Sequence, residues 1–134
     1  MASIRKEIET AATAEQVWDA LRDAGALHTR LVPGFVVDTK LAGGERVVTF
    51  GNGMVVREPI LDIDDEQRRI AWAAISEPLT HYSASAQVFS DGGAPTRVVW
   101  IADFLPHEAA KQIDAMMEQG ITVMKATLDR LAAA

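Results

Sequence analysis

Glu58 lies in the run Met54-Val55-Val56-Arg57-Glu58-Pro59-Ile60. Strand side chains alternate between faces, so if Val56 and Ile60 point at a covering element, Glu58 points there too. A carboxylate in an apolar space must pair, bind water or take up a proton. A carboxyl group with a raised pKa suits general acid or base work. The competing reading is that Pro59 marks a bulge or edge and turns Glu58 to water. Tyr82 joins an apolar ring to a polar tip, which can meet a ligand or a buried carbonyl. His28, in the segment before Pro33, either reaches a cavity mouth or sits as a surface histidine on a short helix.

Other chemistries lack the residues to carry them. There is no Gly-x-Gly-x-x-Gly run, P-loop or Gly-x-Ser-x-Gly elbow, and no cofactor is expected. Gly51-Asn52-Gly53 reads as a hairpin turn, not a phosphate cradle. His28, His81 and His107 show no metal-ligand spacing, so no metal is expected. His81 falls on a polar strand face and His107 on a first helical turn, where both are solvated. The absence of cysteine excludes disulfides and thiolate chemistry and fits a cytoplasmic location.

These groups must be positioned by a chain of 134 residues, a length that fits one domain, 1–134. Apolar residues make up 49% and charged residues 24%, which allows a core without staples. The net charge of −6, with no long basic run, argues against nucleic acid or an anionic membrane as partner. No apolar stretch follows the basic residues near the N-terminus, so no signal peptide is read there, and no window reaches the length of a membrane span.

Residues 4–10 alternate, with Ile4 and Ile8 on one face, and predict a strand with one wet side. Thr13 and Gln16 form a capping-box pattern ahead of Val17, Trp18 and Leu21, predicting a helix that stops near Gly25. Residues 26–32 predict one more helical piece, ended by Pro33-Gly34. Six strands follow, at 35–41, 46–50, 54–63, 70–75, 81–89 and 96–104, joined by turns short enough for antiparallel hairpins. In 81–89 the apolar face is Tyr82, Ala84, Ala86 and Val88. In 97–104 it is Val98, Trp100, Ala102 and Phe104. Alanines among aromatics leave room for a ligand on a concave sheet, or let a helix approach closely.

The last element is a helix from Pro106. Ile113, Met116, Met117, Gly120, Ile121, Met124, Leu128 and Leu131 recur on its buried face. About 25 helical residues span roughly 38 Å, enough to cross a small sheet. A mid-helix glycine costs about 1 kcal/mol against alanine, so Gly120 predicts a close approach. The methionines suit an irregular surface.

The order strand, two short helices, six strands and long helix resembles the helix-grip superfamily, SRPBCC. That superfamily includes START domains, pollen-allergen-like proteins, plant abscisic-acid receptors and bacterial polyketide cyclase/dehydrase-like proteins. The likeness covers essentially the whole chain. It rests on Ala14-Glu15-Gln16-Val17-Trp18, on Glu58 with Ile60-Leu61-Asp62-Ile63-Asp64, and on His81-Tyr82-Ser83. Thr96-Arg97-Val98-Val99-Trp100 and Phe104-Leu105-Pro106 complete it. It implies an α+β helix-grip fold: a curved seven-stranded antiparallel sheet wrapped around a long C-terminal helix, with two short helices after the first strand. In the receptor branch the residues matching Glu58, Trp72 and Tyr82 face the ligand. The receptor serine two positions after the tyrosine is Ala84 here, and the receptor gate has no counterpart, so the bacterial branch is the closer likeness.

The expected function is binding of an apolar or amphipathic small molecule, lipid-, polyketide- or isoprenoid-like, between sheet and helix. The expected contacts are Val47, Thr49, Glu58, Trp72, Tyr82, Ala84, Trp100, Phe104, Met117, Gly120 and Met124. The alternative is a polyketide cyclase/dehydratase-like enzyme in which Glu58 and Tyr82 are catalytic and transfer protons. A protein-interaction role or a homodimer is a third possibility.

Overall fold

Thr13 opens the first helix as its sequence demands. In a computed structural model that describes residues 2–134, its hydroxyl accepts from the Gln16 N–H at 3.1 Å. The Gln16 side chain returns the bond to the Thr13 N–H at 2.9 Å. Met1, where the expected domain begins, lies outside the described residues. The capped helix is α1, Ala14–Leu21, with Arg22 as its C-cap, so it ends before Gly25. A 3-10 turn, Ala24–Ala26, and a single π-helical turn, Leu27–Leu31, supply the second helical piece.

The strands are β1 (Ala2–Thr10), β2 (Val36–Ala42), β3 (Glu45–Phe50), β4 (Val55–Asp64), β5 (Arg69–Ala73), β6 (His81–Phe89) and β7 (Thr96–Leu105). They form a seven-stranded sheet in the order β1-β7-β6-β5-β4-β3-β2, every neighbour antiparallel. From β2 to β7 consecutive strands pair through short connections, and β1 closes the far edge against β7. A 3-10 turn at His107–Ala109 leads into α2, Ala110–Ala133. Its 24 residues correspond to about 36 Å.

Burial follows the predicted alternation. Tyr82, Ala84, Ala86 and Val88 of β6, and Val98, Trp100, Ala102 and Phe104 of β7, all face the core. Met117, Gly120, Ile121, Met124 and Leu128 form the buried face of α2. Trp18 fixes α1 through its indole N–H, which donates to Asp65 Oδ1 at 2.9 Å in the β4–β5 turn. Lys6, on the inner side of β1, reaches Asp114 and Glu118 of α2 at 2.8 and 3.0 Å. Thr10 donates to Asp129 Oδ1 at 2.7 Å near the far end of that helix. These contacts set α2 across the sheet. Among the described residues no helix is long and apolar enough to cross a membrane.

Candidate functional site

The β3–β4 hairpin turns about Asn52: Phe50 N–H donates to the Met54 carbonyl at 2.8 Å, and Asn52 Oδ1 accepts from the Met54 N–H at 3.0 Å. The ladder that follows pairs Val48 with Val56 and Arg46 with Glu58. All four are buried. The irregularity in β4 comes between Ile60 and Asp62, beyond Pro59, so it does not turn Glu58 to water.

Arg46 and Glu58 therefore meet inside the fold. Arg46 Nε donates to Glu58 Oε1 at 2.8 Å, with 4% and 9% of the two side chains exposed. The guanidinium also lies over Trp72, 5.1 Å from its ring centroid. Trp72 in turn lies 6.4 Å from Trp100, centroid to centroid. Burial pushes the Glu58 carboxyl above the usual carboxylate range, and the charge and hydrogen bond of Arg46 draw it back only in part. Burial, and then the charge of Glu58, hold the Tyr82 hydroxyl above the ordinary phenol value. It remains protonated at neutral pH, a donor with no protein partner among the described residues. Tyr82 stacks on Phe104 at 6.4 Å between centroids. The Trp100 indole N–H is buried without a partner among the described residues.

Two spaces border this cluster. The inner one is a gap of about 60 Å³, lined mainly by apolar side chains such as Leu21, Leu31, Ile70 and Met124, together with Arg46 and Glu58. A water needs roughly 10–15 Å³ of such space, so the gap suits a few waters and not a ligand. The outer one is an open-sided chamber of about 840 Å³. It is bounded by the Gly34-Phe35 segment, the Gly51-Asn52 turn, the 76–79 loop and the first half of α2. Ligand pockets are typically about 300–1,000 Å³. Phe35, Phe50, Glu58, Tyr82 and Met116 line both spaces.

The expected contact residues divide accordingly. Glu58, Trp72, Tyr82, Trp100 and Met124 line one or both spaces, and Trp72, Trp100 and Met124 touch the inner gap alone. Ala84, Phe104 and Met117 are buried in the core and border neither space, so close packing holds there. Gly120 is covered too: a Cβ built on it would stand 2.9 Å from Phe35 Cε2 and 3.0 Å from Trp100 Cζ3. The close approach predicted at Gly120 is real, but aromatic rings make it.

Val47 and Thr49 need correction. They alternate with the buried Arg46 and Val48, so they lie on the opposite face of β3. The hairpin's symmetry gives the reason. Glu58 is six residues after Asn52 and Arg46 six before it, so these two share a face and Val47 cannot join them. Arg46 was missed for the same reason, although the turn carried the signal. Phe35, Phe50 and Met116 were missed because the larger space opens at the sheet's end and not under the middle of α2. His28 borders neither space, and its Nδ1 lies 3.1 Å from Thr39 Oγ1. Among the described residues no cluster of His, Asp or Glu has a metal-holding arrangement.

A curved antiparallel sheet gripping a long C-terminal helix, with two short helices after the first strand, is the helix-grip architecture of START-like proteins. The chain belongs to the family described as polyketide cyclase / dehydrase and lipid transport, which it matches over residues 1–134. The XoxI protein from Bacillus cereus is similar, with 21% identity, a TM-score of 0.84 and 96% of each chain covered. A START superfamily protein from Mycobacterium smegmatis is 13% identical at a TM-score of 0.79, over 96% of this chain and 98% of that one. Norcoclaurine synthase from Thalictrum flavum, in complex with dopamine and hydroxybenzaldehyde, is 20% identical at a TM-score of 0.76, over 98% of this chain and 86% of that one. At such identities the likeness is one of fold. No curated protein matches the sequence.

Proposed function

We propose that residues 1–134 act as one cytoplasmic START-like domain that binds an apolar or amphipathic small molecule, lipid-, polyketide- or isoprenoid-like, in the outer chamber. The supporting observation is that chamber itself: about 840 Å³, open on one side, with Glu58 and Tyr82 in its wall. Apolar contacts with Phe35, Phe50, Ile113 and Met116 supply affinity through area removed from water. Glu58 and Tyr82 orient the ligand's polar end. The family description, which includes lipid transport, agrees with this reading.

One observation favours a second reading, a cyclase- or dehydratase-like enzyme. Arg46, Glu58 and Tyr82 form a buried polar cluster, of which Glu58 and Tyr82 line the chamber. A carboxylate whose pKa is raised is a stronger base than an ordinary one, and a protonated phenol donates to a carbonyl oxygen. In that enzyme Glu58 would take a proton from a carbon next to a substrate carbonyl, while Tyr82 held the developing oxyanion.

Native mass spectrometry of the purified protein, with extraction of whatever co-purifies, tests the binding reading. A bound apolar or amphipathic molecule supports it. Empty protein that also fails to bind a broad lipid and polyketide panel overturns it. Glu58→Gln separates the two roles: a carrier keeps its affinity within a few-fold, whereas an enzyme keeps binding and loses turnover.

A further inference from the structure

Three glycines serve the position of one ring. Gly34 adopts φ +87°, in the left-handed region, immediately before Phe35. Gly51 leaves room for the Gly34 carbonyl, since a Cβ there would stand 2.5 Å from that oxygen. The Gly51 N–H then donates to the Phe35 carbonyl at 2.9 Å. With the backbone clamped, the Phe35 ring packs edge-on to Phe50, 5.5 Å between centroids. Its outer edge fills the space that Gly120 leaves on α2. Phe35 thus belongs to the boundary that the outer chamber of about 840 Å³ shares with the inner gap of about 60 Å³, beside Phe50, Glu58, Tyr82 and Met116, and among these it is the ring that Gly120 receives.

We infer that Phe35, seated on Gly120 and clamped by the β3–β4 turn, is the residue that sets how deep a ligand enters and so selects ligands by length. This rests on the binding reading above. Beyond the ring the walls are mainly aliphatic, including Leu21, Leu27, Leu31 and Val32, so the gap, too small for a ligand while the ring is in place, would take a hydrocarbon tail once the ring is removed. Glu58 and Tyr82 lie at the boundary, where a polar head can be held on either side of the ring. The ring acts as a floor under the chamber, because the clamp fixes its backbone and Gly120 receives its edge.

The test measures displacement of the neutral dye Nile red by straight-chain alcohols of six to fourteen carbons. For the wild type, affinity rises about fourfold per added methylene and then levels off when the chain end reaches the Phe35 ring. In Phe35→Ala the levelling-off moves to chains at least two carbons longer, and in Phe35→Leu it moves the same way by less. The leucine variant keeps an apolar side chain in the core and carries the test if the alanine variant does not fold. Levelling-off at the same chain length in the wild type and a folded Phe35 variant overturns the role of Phe35. A wild type that binds neither dye nor alcohols instead overturns the binding reading itself, so the two failures are distinguishable.

Discussion

Arg46→Met should convert the buried ion pair into a buried lone carboxyl, and the size of the effect follows from the options left to Glu58. An unpaired charge in this position is costly, since breaking a buried pair by removing one partner costs about 3–5 kcal/mol. Glu58 can escape by taking up a proton. From a reference value of 4.5, holding it protonated at pH 7 costs about 3.4 kcal/mol at about 1.36 kcal/mol per unit. The wild type already bears part of this cost, because burial raises Glu58 even beside Arg46. The loss of the 2.8 Å hydrogen bond adds to it. The expected net loss is about 3 kcal/mol at pH 7, falling to about 1 kcal/mol near pH 4.5, where the carboxyl is half protonated even in the unfolded chain. Urea unfolding followed by tryptophan fluorescence at both pH values measures this. Arg46→Met with Glu58→Leu should recover most of the stability, because an apolar pair leaves no charge behind. A single variant that loses under 1 kcal/mol at pH 7, with no pH dependence, would refute the claim that Arg46 compensates a buried carboxylate.

Three further predictions follow from particular contacts. Glu58 has a folded-state pKa raised above its unfolded value, so its contribution to stability is fully present below about pH 4.5 and declines as pH climbs through the raised value. Wild-type stability relative to Glu58→Gln should therefore fall with rising pH and then flatten, as urea midpoints across the range will show. Gly51→Ala forces a Cβ to 2.5 Å from the Gly34 carbonyl oxygen, and should cost about 1–3 kcal/mol, measured the same way. Val47→Thr, on the far face of β3, should leave Nile red affinity unchanged within twofold. A tenfold loss there would show that the register places Val47 at the site.

Much of this architecture could be read from local patterns. The Thr13 capping box, the strict alternation through β6 and β7 and the stripe on α2 are each fixed by neighbours a few residues away, and sequence spacing reports them well. The inward turn of Glu58 was one of two open readings, and the ladder decided it by placing the β4 irregularity beyond Pro59. Arg46 was legible in principle, because a turn about Asn52 puts it opposite Glu58, but the expected contacts on β3 were Val47 and Thr49, on the other face. A guanidinium in the core runs against the usual partition of charges, and only its partner across the hairpin explains it. Phe35 was not legible. A mid-helix glycine signals that something approaches α2, yet which ring fills the space depends on how the 33–36 segment folds against a turn some 15 residues away. That packing also closes most of the room that the alanines of β6 and β7 suggested and leaves the larger space at the sheet's end.

The most direct test of ligand binding in the outer chamber is a titration of protein carrying 13C-methyl methionine with Nile red. Met54 and Met116 line that chamber, whereas Met117 is fully buried and borders neither space. Resonances of Met54 and Met116 should move with saturation while Met117 stays in place. Saturable dye binding that leaves both Met54 and Met116 unmoved would contradict the account.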